Sequence, residues 1–340
     1  MSASIDIEKF LKFGNEHPVL DVRTPAEFEQ GHICNAINFP LFDNEERKII
    51  GTLYKQDGRE KAILKGLEMV GPKMITFIEN ANKLNKTGTF LIHCWRGGMR
   101  SGSISWLLQL YGYKIHTLKG GYKSFRKFVM NSFAESKKII VLGGKTGSGK
   151  TPVLAELKKL GEQVIDLEKL ANHKGSSFGA LGEEKQPTQE QFENDIAIEF
   201  YGNDPQKNSW VEDESRMIGK KVIPEGLWKQ MREAHVLLLD IPFKERAEYL
   251  TKEYGKFNKT ELAVSIERIT KRIGSEQTKQ ALESVENNDI AAACEICLDY
   301  YDKAYQHGID KRKKETINSI SFNEMDPEQI AQKIIREWKK

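Results

Sequence analysis

Cysteine is scarce in this chain, with four in 340 residues. That is too few for a disulfide framework and points to a reducing compartment, the cytoplasm. No apolar run approaches the ~20 residues that span a bilayer, so no membrane partner is expected. Residues 1–13 are short, mixed in charge and amphipathic, unlike a secretory signal. An excess of one charge is missing too: 52 Lys and Arg against 49 Asp and Glu leave a net charge of +3. Any contact with nucleic acid must therefore come from local basic clusters. What remains is a globular composition, 39% hydrophobic and 30% charged, long enough for two domains with a core each.

The stretch Thr89 to Ser101, TFLIHCWRGGMRS, is the first that carries chemistry. Five residues suited to a buried strand run into Cys94, two glycines and two arginines follow, and a helical pattern begins at Ser101. A strand ending in a tight glycine loop turns backbone N–H groups inward, and a helix starting just beyond adds the positive end of its dipole. With Arg96 and Arg100 close by, these groups favour a thiolate at Cys94; activated cysteines of this kind titrate at roughly 3.5 to 7.5 instead of about 8.5. Cys94, Arg96 and Arg100 are thus the catalytic candidates, a nucleophile beside a place for an anion.

Around this loop, HPVLDVR (His17 to Arg23) reads as a buried strand, and Thr24 and Pro25 open a helix that Gly31 ends. A brief strand in GHICNAINFP, a long helical stretch broken near Gly71-Pro72, a helix over 101–110 and the strand KIHTL follow. Strands alternating with helices predict a parallel α/β sheet with ligands at the carboxyl ends of its strands. DVRTPAEFEQGHICNAINFP, the cysteine loop and LKGGY together resemble a single rhodanese domain, placed over residues 1–136. That resemblance implies Cys94 as the carrier of sulfur or selenium, with Asp21, Arg23 and His32 fixing the scaffold through hydrogen bonds. The loop is one residue longer than the common rhodanese loop. His93, Cys94, five further residues, Arg100 and Ser101 also match the H-C-x5-R-S/T signature of cysteine-dependent phosphatases. Sulfurtransferase and phosphatase both stay open here, and Cys34, without basic neighbours, reads as packing.

Residues 137–340 open on KKIIVLGG, a short apolar strand that runs into Gly144-Lys145-Thr146-Gly147-Ser148-Gly149-Lys150-Thr151. This is G-x-x-x-x-G-K-[ST] in its required setting, strand before and helix after. Backbone N–H groups at Gly144, Thr146, Gly147, Ser148 and Gly149 wrap phosphate oxygens, Lys150 adds a point charge, and Thr151 suits Mg²⁺. GEQVIDLE, NSWVEDES and HVLLLDIP read as further strands, giving a P-loop NTPase-like parallel sheet. Asp166, Glu212 and Asp213 fall at strand ends and are candidates to orient Mg²⁺ through water. His173, Lys174 and Ser176 lie in a polar, glycine-rich loop and are candidates to face substrate. From about Glu245 onward the chain reads as an amphipathic helical extension. Lys271-Arg272 and Lys311-Arg312-Lys313-Lys314 are basic clusters near Tyr300, Tyr301 and Tyr305, although lysine runs are mostly solvated faces and such tyrosines mostly core. Cys294 and Cys297 lie one turn apart in an apolar helix without a second ligand pair, so they read as packing, and no metal site is expected from them.

The order of the two halves, with HCWRGGMRSGS, GGKTGSGKT, DLEKLANHKGSSFG, QPTQEQFEN, VEDESRMIG and LDYYDKAY, resembles the bacterial tRNA 2-selenouridine synthase family over almost the full chain. The resemblance implies a transferase acting on tRNA at a wobble 2-thiouridine. It implies geranyl diphosphate and selenophosphate as co-substrates, S-geranylation followed by replacement of sulfur with selenium, and a separate enzyme supplying selenophosphate. Two other readings remain: a sulfurtransferase or cysteine phosphatase with a regulatory nucleotide-binding P-loop, and a nucleotide-gated sulfur carrier that binds a partner protein.

Overall fold

The computed structural model describes residues 3–85 and 88–338, and the chain divides into two compact units. One comprises the residues up to Ser132 with Glu193–Asp195; the other comprises Phe133–Phe192 and the chain from Ile196 onward. Both sheets are parallel, as the alternation of strands and helices predicts.

In the first unit, β1 (Ala3–Ile5), β2 (Val19–Asp21), β3 (Ala36–Asn38), β4 (Thr89–His93) and β5 (Lys114–Leu118) lie in the order β1-β5-β4-β2-β3. β4 is central because Phe90, Leu91 and Ile92 are apolar in succession, which suits a strand covered on both faces. Leu20, Phe90, Ile92, Ile104 and Leu108 form the core of one face, each contributing about 1.5–3 kcal/mol by burial. Thr24 caps the Pro25–Gln30 helix in a capping box with Glu27, and Gly31 ends it. The long helical stretch is more divided than its sequence suggests: Asn44–Gln56, Arg59–Val70, a 3₁₀ turn at Gly71–Lys73 and Met74–Leu84. The additional break falls at Gly58, whose φ of +91° ends a helix at little cost for glycine.

Asp21 and Arg23 are buried together. Arg23 Nε donates to Asp21 Oδ1 at 2.9 Å, Arg23 Nη2 donates to the Gly31 carbonyl at 2.7 Å, and the guanidinium lies 3.6 Å from the Tyr122 ring centroid. Burial alone would push the Asp21 carboxyl up; His93 and the Arg23 fork outweigh it and hold the group below the ordinary carboxylate value. With His32 Nδ1 3.0 Å from the Phe28 carbonyl, all three residues tie scaffold segments together.

In the second unit, β6 (Ile139–Gly144), β7 (Gln163–Ile165), β8 (Ser209–Glu212), β11 (His235–Asp240) and β12 (Ile317–Ser321) lie in the order β12-β11-β6-β8-β7. Between β8 and β11, β9 (Met217–Ile218) and β10 (Lys221–Val222) pair as a small antiparallel ribbon. β6, β7, β8 and β11 fall inside the four runs read as strands. β12 does not: it interrupts the region read as helical, and pairs Val236 with Ile317 through Asp240 with Ser321. Ile140, Leu142, Leu154, Trp210 and Leu237 make the sheet core. A second cluster, including Phe178, Leu262, Ile266, Val285 and Cys297, holds the helical extension together. Among the described residues no helix is long and apolar enough to cross a membrane.

Candidate active sites

Cys94 follows the last residue of β4, at the carboxyl end of the sheet. Its Sγ accepts from the Gly98 N–H at 3.3 Å and lies 3.3 Å from Ser101 Oγ. The Ser101 hydroxyl is also 3.0 Å from the Gly98 carbonyl, so its single proton serves one neighbour or the other. Burial opposes ionisation, but the Ser101 hydroxyl and the backbone N–H groups of Ser101, Gly98 and Arg96 outweigh it and hold the thiol below its ordinary value. The stabilising charge thus comes chiefly from loop N–H groups and Ser101. Arg96 contributes its backbone while its side chain stays exposed. Arg100 is gripped by Glu27, Nη1 to Oε2 at 2.5 Å and Nη2 to Oε1 at 3.0 Å. Burial of Glu27 is outweighed by this fork, which holds its carboxyl below the ordinary value.

The LKGGY segment acts as a buttress for this loop. Tyr122 N–H donates to the Cys94 carbonyl at 2.8 Å and Lys123 N–H to the Trp95 carbonyl at 2.9 Å. Gly121 has φ +60°, and a Cβ there would come 2.3 Å from the Cys94 carbonyl oxygen and 2.5 Å from Gly97 N. Only glycine fits that approach.

The P-loop follows β6 into the Lys150–Lys159 helix, with positive φ at Gly144, Gly147 and Gly149. It lines a cavity of about 670 Å³ through Gly144, Thr146, Gly147, Gly149, Lys150 and Thr151. Ser148 is fully buried behind it, its Oγ without a partner. Lys150 Nζ donates to the Gly144 carbonyl at 3.2 Å, and Thr151 Oγ1 donates to Glu168 Oε2 at 2.8 Å.

The acids expected to orient a metal lie otherwise than their strand-end positions suggest. Asp166 caps a short helix by accepting from Lys169 N–H, and fully buried Glu212 accepts from Leu167 N–H at 2.9 Å. Neither lines the cavity. Burial, then the adjacent Asp166, push the Glu212 carboxyl well above its ordinary value. Asp213 does reach the cavity wall, but Arg312 Nη2 donates to its Oδ1 at 2.6 Å and the Tyr305 hydroxyl donates to its Oδ2 at 3.0 Å. Glu168, Glu214 and Glu253 line the cavity as well, Glu168 beside Thr151 and Glu214 near Lys150. Burial and Glu168 raise the Glu214 carboxyl well above its ordinary value. Of the glycine-rich loop, Lys174 and Ser176 line the cavity, with Lys174 3.2 Å from Glu183, whereas His173 turns into the fold with its Nδ1 buried.

Sequence reasoning missed the groups that hold the P-loop from a distance. In the Ile290–Ile309 helix, the Tyr305 hydroxyl accepts from Gly144 N–H at 2.8 Å. Asp302 accepts from Arg246 Nη1 at 2.8 Å and from Arg246 Nη2 at 2.7 Å, and the same Nη1 donates to the Thr146 carbonyl at 3.0 Å. The repeated tyrosines of LDYYDKAY were the available signal. Arg312 also leaves the basic cluster 311–314, buried against Asp213 while its lysine neighbours stay exposed. Arg312→Ala would strand the Asp213 charge, and we expect a loss of about 3–5 kcal/mol, read as a lower urea midpoint.

Beside the cavity lies a small apolar pocket of about 30 Å³ lined by Phe178, Leu262, Ile266, Val285 and Leu298. Thr146, Ser176, Leu250, Tyr254 and Tyr301 border both spaces. Cys294 and Cys297 sit in its wall, and burial pushes their thiols up to about 11 and about 12. They pack as apolar groups.

A cysteine loop at a sheet's carboxyl edge and a phosphate cradle after a central strand define a chain that joins a rhodanese-like module to a P-loop module. Residues 6–128 match the model of the rhodanese-like domain, and residues 137–334 match that of the tRNA 2-selenouridine synthase AAA domain. A tRNA 2-selenouridine synthase of Shewanella halifaxensis is 34% identical, over 90% of this chain and 92% of its own. One of Proteus mirabilis is 33% identical, over 92% and 94%. The chain belongs to the tRNA 2-selenouridine synthase family.

Proposed function

We propose that this chain converts wobble 2-thiouridine of tRNA to 2-selenouridine in two steps. In the first, the thiocarbonyl sulfur attacks C1 of geranyl diphosphate; a C–S bond forms, the C–O bond breaks and diphosphate leaves. In the second, a selenide equivalent derived from selenophosphate attacks C2 of the uridine; a C–Se bond forms and the geranyl thiolate departs with a proton. Selenophosphate would come from a separate enzyme.

The observation that carries the reading is the shared border of two unlike spaces. The P-loop cavity has the N–H groups and Lys150 to cradle a diphosphate, and the small pocket that shares Thr146 and Leu250 with it is walled by apolar side chains. At about 30 Å³ that pocket is too small for a hydrocarbon tail; Leu250, Tyr254 and Tyr301 on the shared border are the apolar surface such a tail would meet beside the diphosphate. Lys174 and Ser176 line the same cavity, which supports their reading as substrate-facing residues. The oxygens of Thr151, Glu168 and Glu214 fit a hard divalent cation, and these residues would hold Mg²⁺. When bound, the ion would offset charge on the leaving diphosphate. At the Cys94 loop, the converging N–H groups, Arg96 and Arg100 suit the anionic selenium donor.

The test incubates the purified chain with tRNA bearing 2-thiouridine, geranyl diphosphate and selenophosphate, and weighs the digested nucleosides by mass spectrometry. We expect geranylthiouridine and selenouridine. Unchanged 2-thiouridine, with folded protein and intact substrates, would overturn the reading in favour of a phosphatase or a sulfur carrier.

A further inference from the structure

The Cys94 loop carries two patterns at once, the rhodanese setting and the longer H-C-x5-R-S spacing. The spacing has a geometric counterpart. N–H groups converge on Sγ, Arg100 stands near enough for the thiolate to strengthen its charge, and the Ser101 hydroxyl lies 3.3 Å from the sulfur. Glu27 occupies one N–H on each terminal nitrogen of Arg100. A guanidinium has five N–H groups, so three remain for an anion. A thiolate under such a set of donors is placed to attack the centre of a tetrahedral oxyanion whose oxygens those donors would bind.

We propose that Cys94 acts as a phosphoryl acceptor, attacking the phosphorus of a phosphoroselenoate and not its selenium. This rests on the reading of selenophosphate as the donor. The Cys94 Sγ–P bond forms, the P–Se bond breaks, and its electron pair leaves with selenium as selenide. Water then attacks the phosphorus of the phosphocysteine, the S–P bond breaks, and inorganic phosphate leaves as Cys94 returns to thiolate. No oxidant or reductant is consumed. Attack on selenium would instead expel phosphorus as phosphite or require an external oxidant, and it would leave selenium as a persulfide-like adduct needing reduction before use. Attack at phosphorus yields the nucleophile that the second step of the proposed reaction needs.

The surroundings of the loop favour this leaving group over an alcohol. An alkoxide needs a proton as it departs, and the carboxyls tied to this network are occupied: Asp21 by Arg23 and Glu27 by Arg100. Both are held below their ordinary values and carry no proton at neutral pH. The His93 ring is fully buried and pushed down to about 4, chiefly by burial, so it is no acid either. Selenium leaves as hydrogenselenide, HSe⁻, the stable anion in water, taking the one proton that selenophosphate carries near neutral pH, so the loop need supply none. The Ser101 hydroxyl has its part in the second half, when it can turn from the Gly98 carbonyl to the departing Cys94 thiolate.

The test incubates the full chain with selenophosphate radiolabelled at phosphorus or, separately, at selenium, followed by a denaturing quench and peptide mapping. We expect phosphorus label on the Cys94 peptide, no covalent selenium label, and neither label in Cys94→Ala. Ser101→Ala should raise the steady-state phosphocysteine by about tenfold, since its hydrolysis loses a hydrogen bond to the leaving thiolate. Selenium on Cys94 with phosphorus in solution would overturn the proposal, as would selenouridine formation with no phosphorus label at any quench time. Phosphorus labelling by a chain that makes no selenouridine would instead sustain this chemistry and sink the tRNA reading.

Discussion

Cys94→Ala abolishes selenium insertion, by a factor of ~10³ or more, and leaves geranylation of 2-thiouridine intact. The magnitude follows from removing a nucleophile, which forfeits an entire reaction path and not one contact of many. Selectivity follows from where the residue sits. Its polar partners are Gly98, Ser101 and the N–H groups of its own loop, and its carbonyl is tied to Tyr122, all within the first unit. The measurement scores both nucleosides by mass spectrometry after digestion of the same tRNA. Loss of geranylation together with selenation in a folded variant would show that the two steps are not divided in this way.

Lys150→Ala has the converse effect, lowering geranylation by about 10²–10³ while selenation of pre-geranylated tRNA continues. The ammonium is the mobile charge of the cradle, now donating to the Gly144 carbonyl at 3.2 Å and placed at the wall shared with Glu168 and Glu214. As the C–O bond of a diphosphate ester breaks, negative charge grows on the leaving oxygens, and a cation there stabilises the transition state more than the ground state. Single-turnover rates at saturating geranyl diphosphate separate this from weaker binding. A variant with an unchanged rate and only a raised KM would make Lys150 a binding residue alone. Loss of both steps in both variants would remove the division of labour altogether.

Both loops were legible because their signals are local. A glycine-rich loop between strand and helix writes its backbone needs into consecutive residues, as GGKTGSGKT and HCWRGGMRS do. The strands of each sheet were legible where the run was apolar and bounded, as in TFLIH and HVLLLD. β1, at three residues, is too short to show a period, and β12 alternates weakly as INSIS among helices. The acids show the limit most clearly. Asp166, Glu212, Asp213 and Glu168 are equally charged on paper, and what separates them is partnership with Lys169, Leu167, Arg312 and Thr151. Arg312 and Asp213 stand 99 residues apart, beyond any window of periodicity. His173 likewise reads as a binding residue in a polar loop, yet the fold turns it inward.

The hold of Tyr305 and Arg246 on the P-loop backbone has a consequence for synthesis. A ribosome that has finished the phosphate-binding motif has made the loop but not its fasteners. Tyr305, which takes the Gly144 N–H, lies 161 residues downstream, and Asp302 and Arg312 follow the same delay. Until that distant helix emerges, the Gly144 N–H lacks the hydroxyl that holds it in the folded chain. The cradle is thus among the last parts of the chain to take shape, and a message truncated before the final helices would encode the signature without the site.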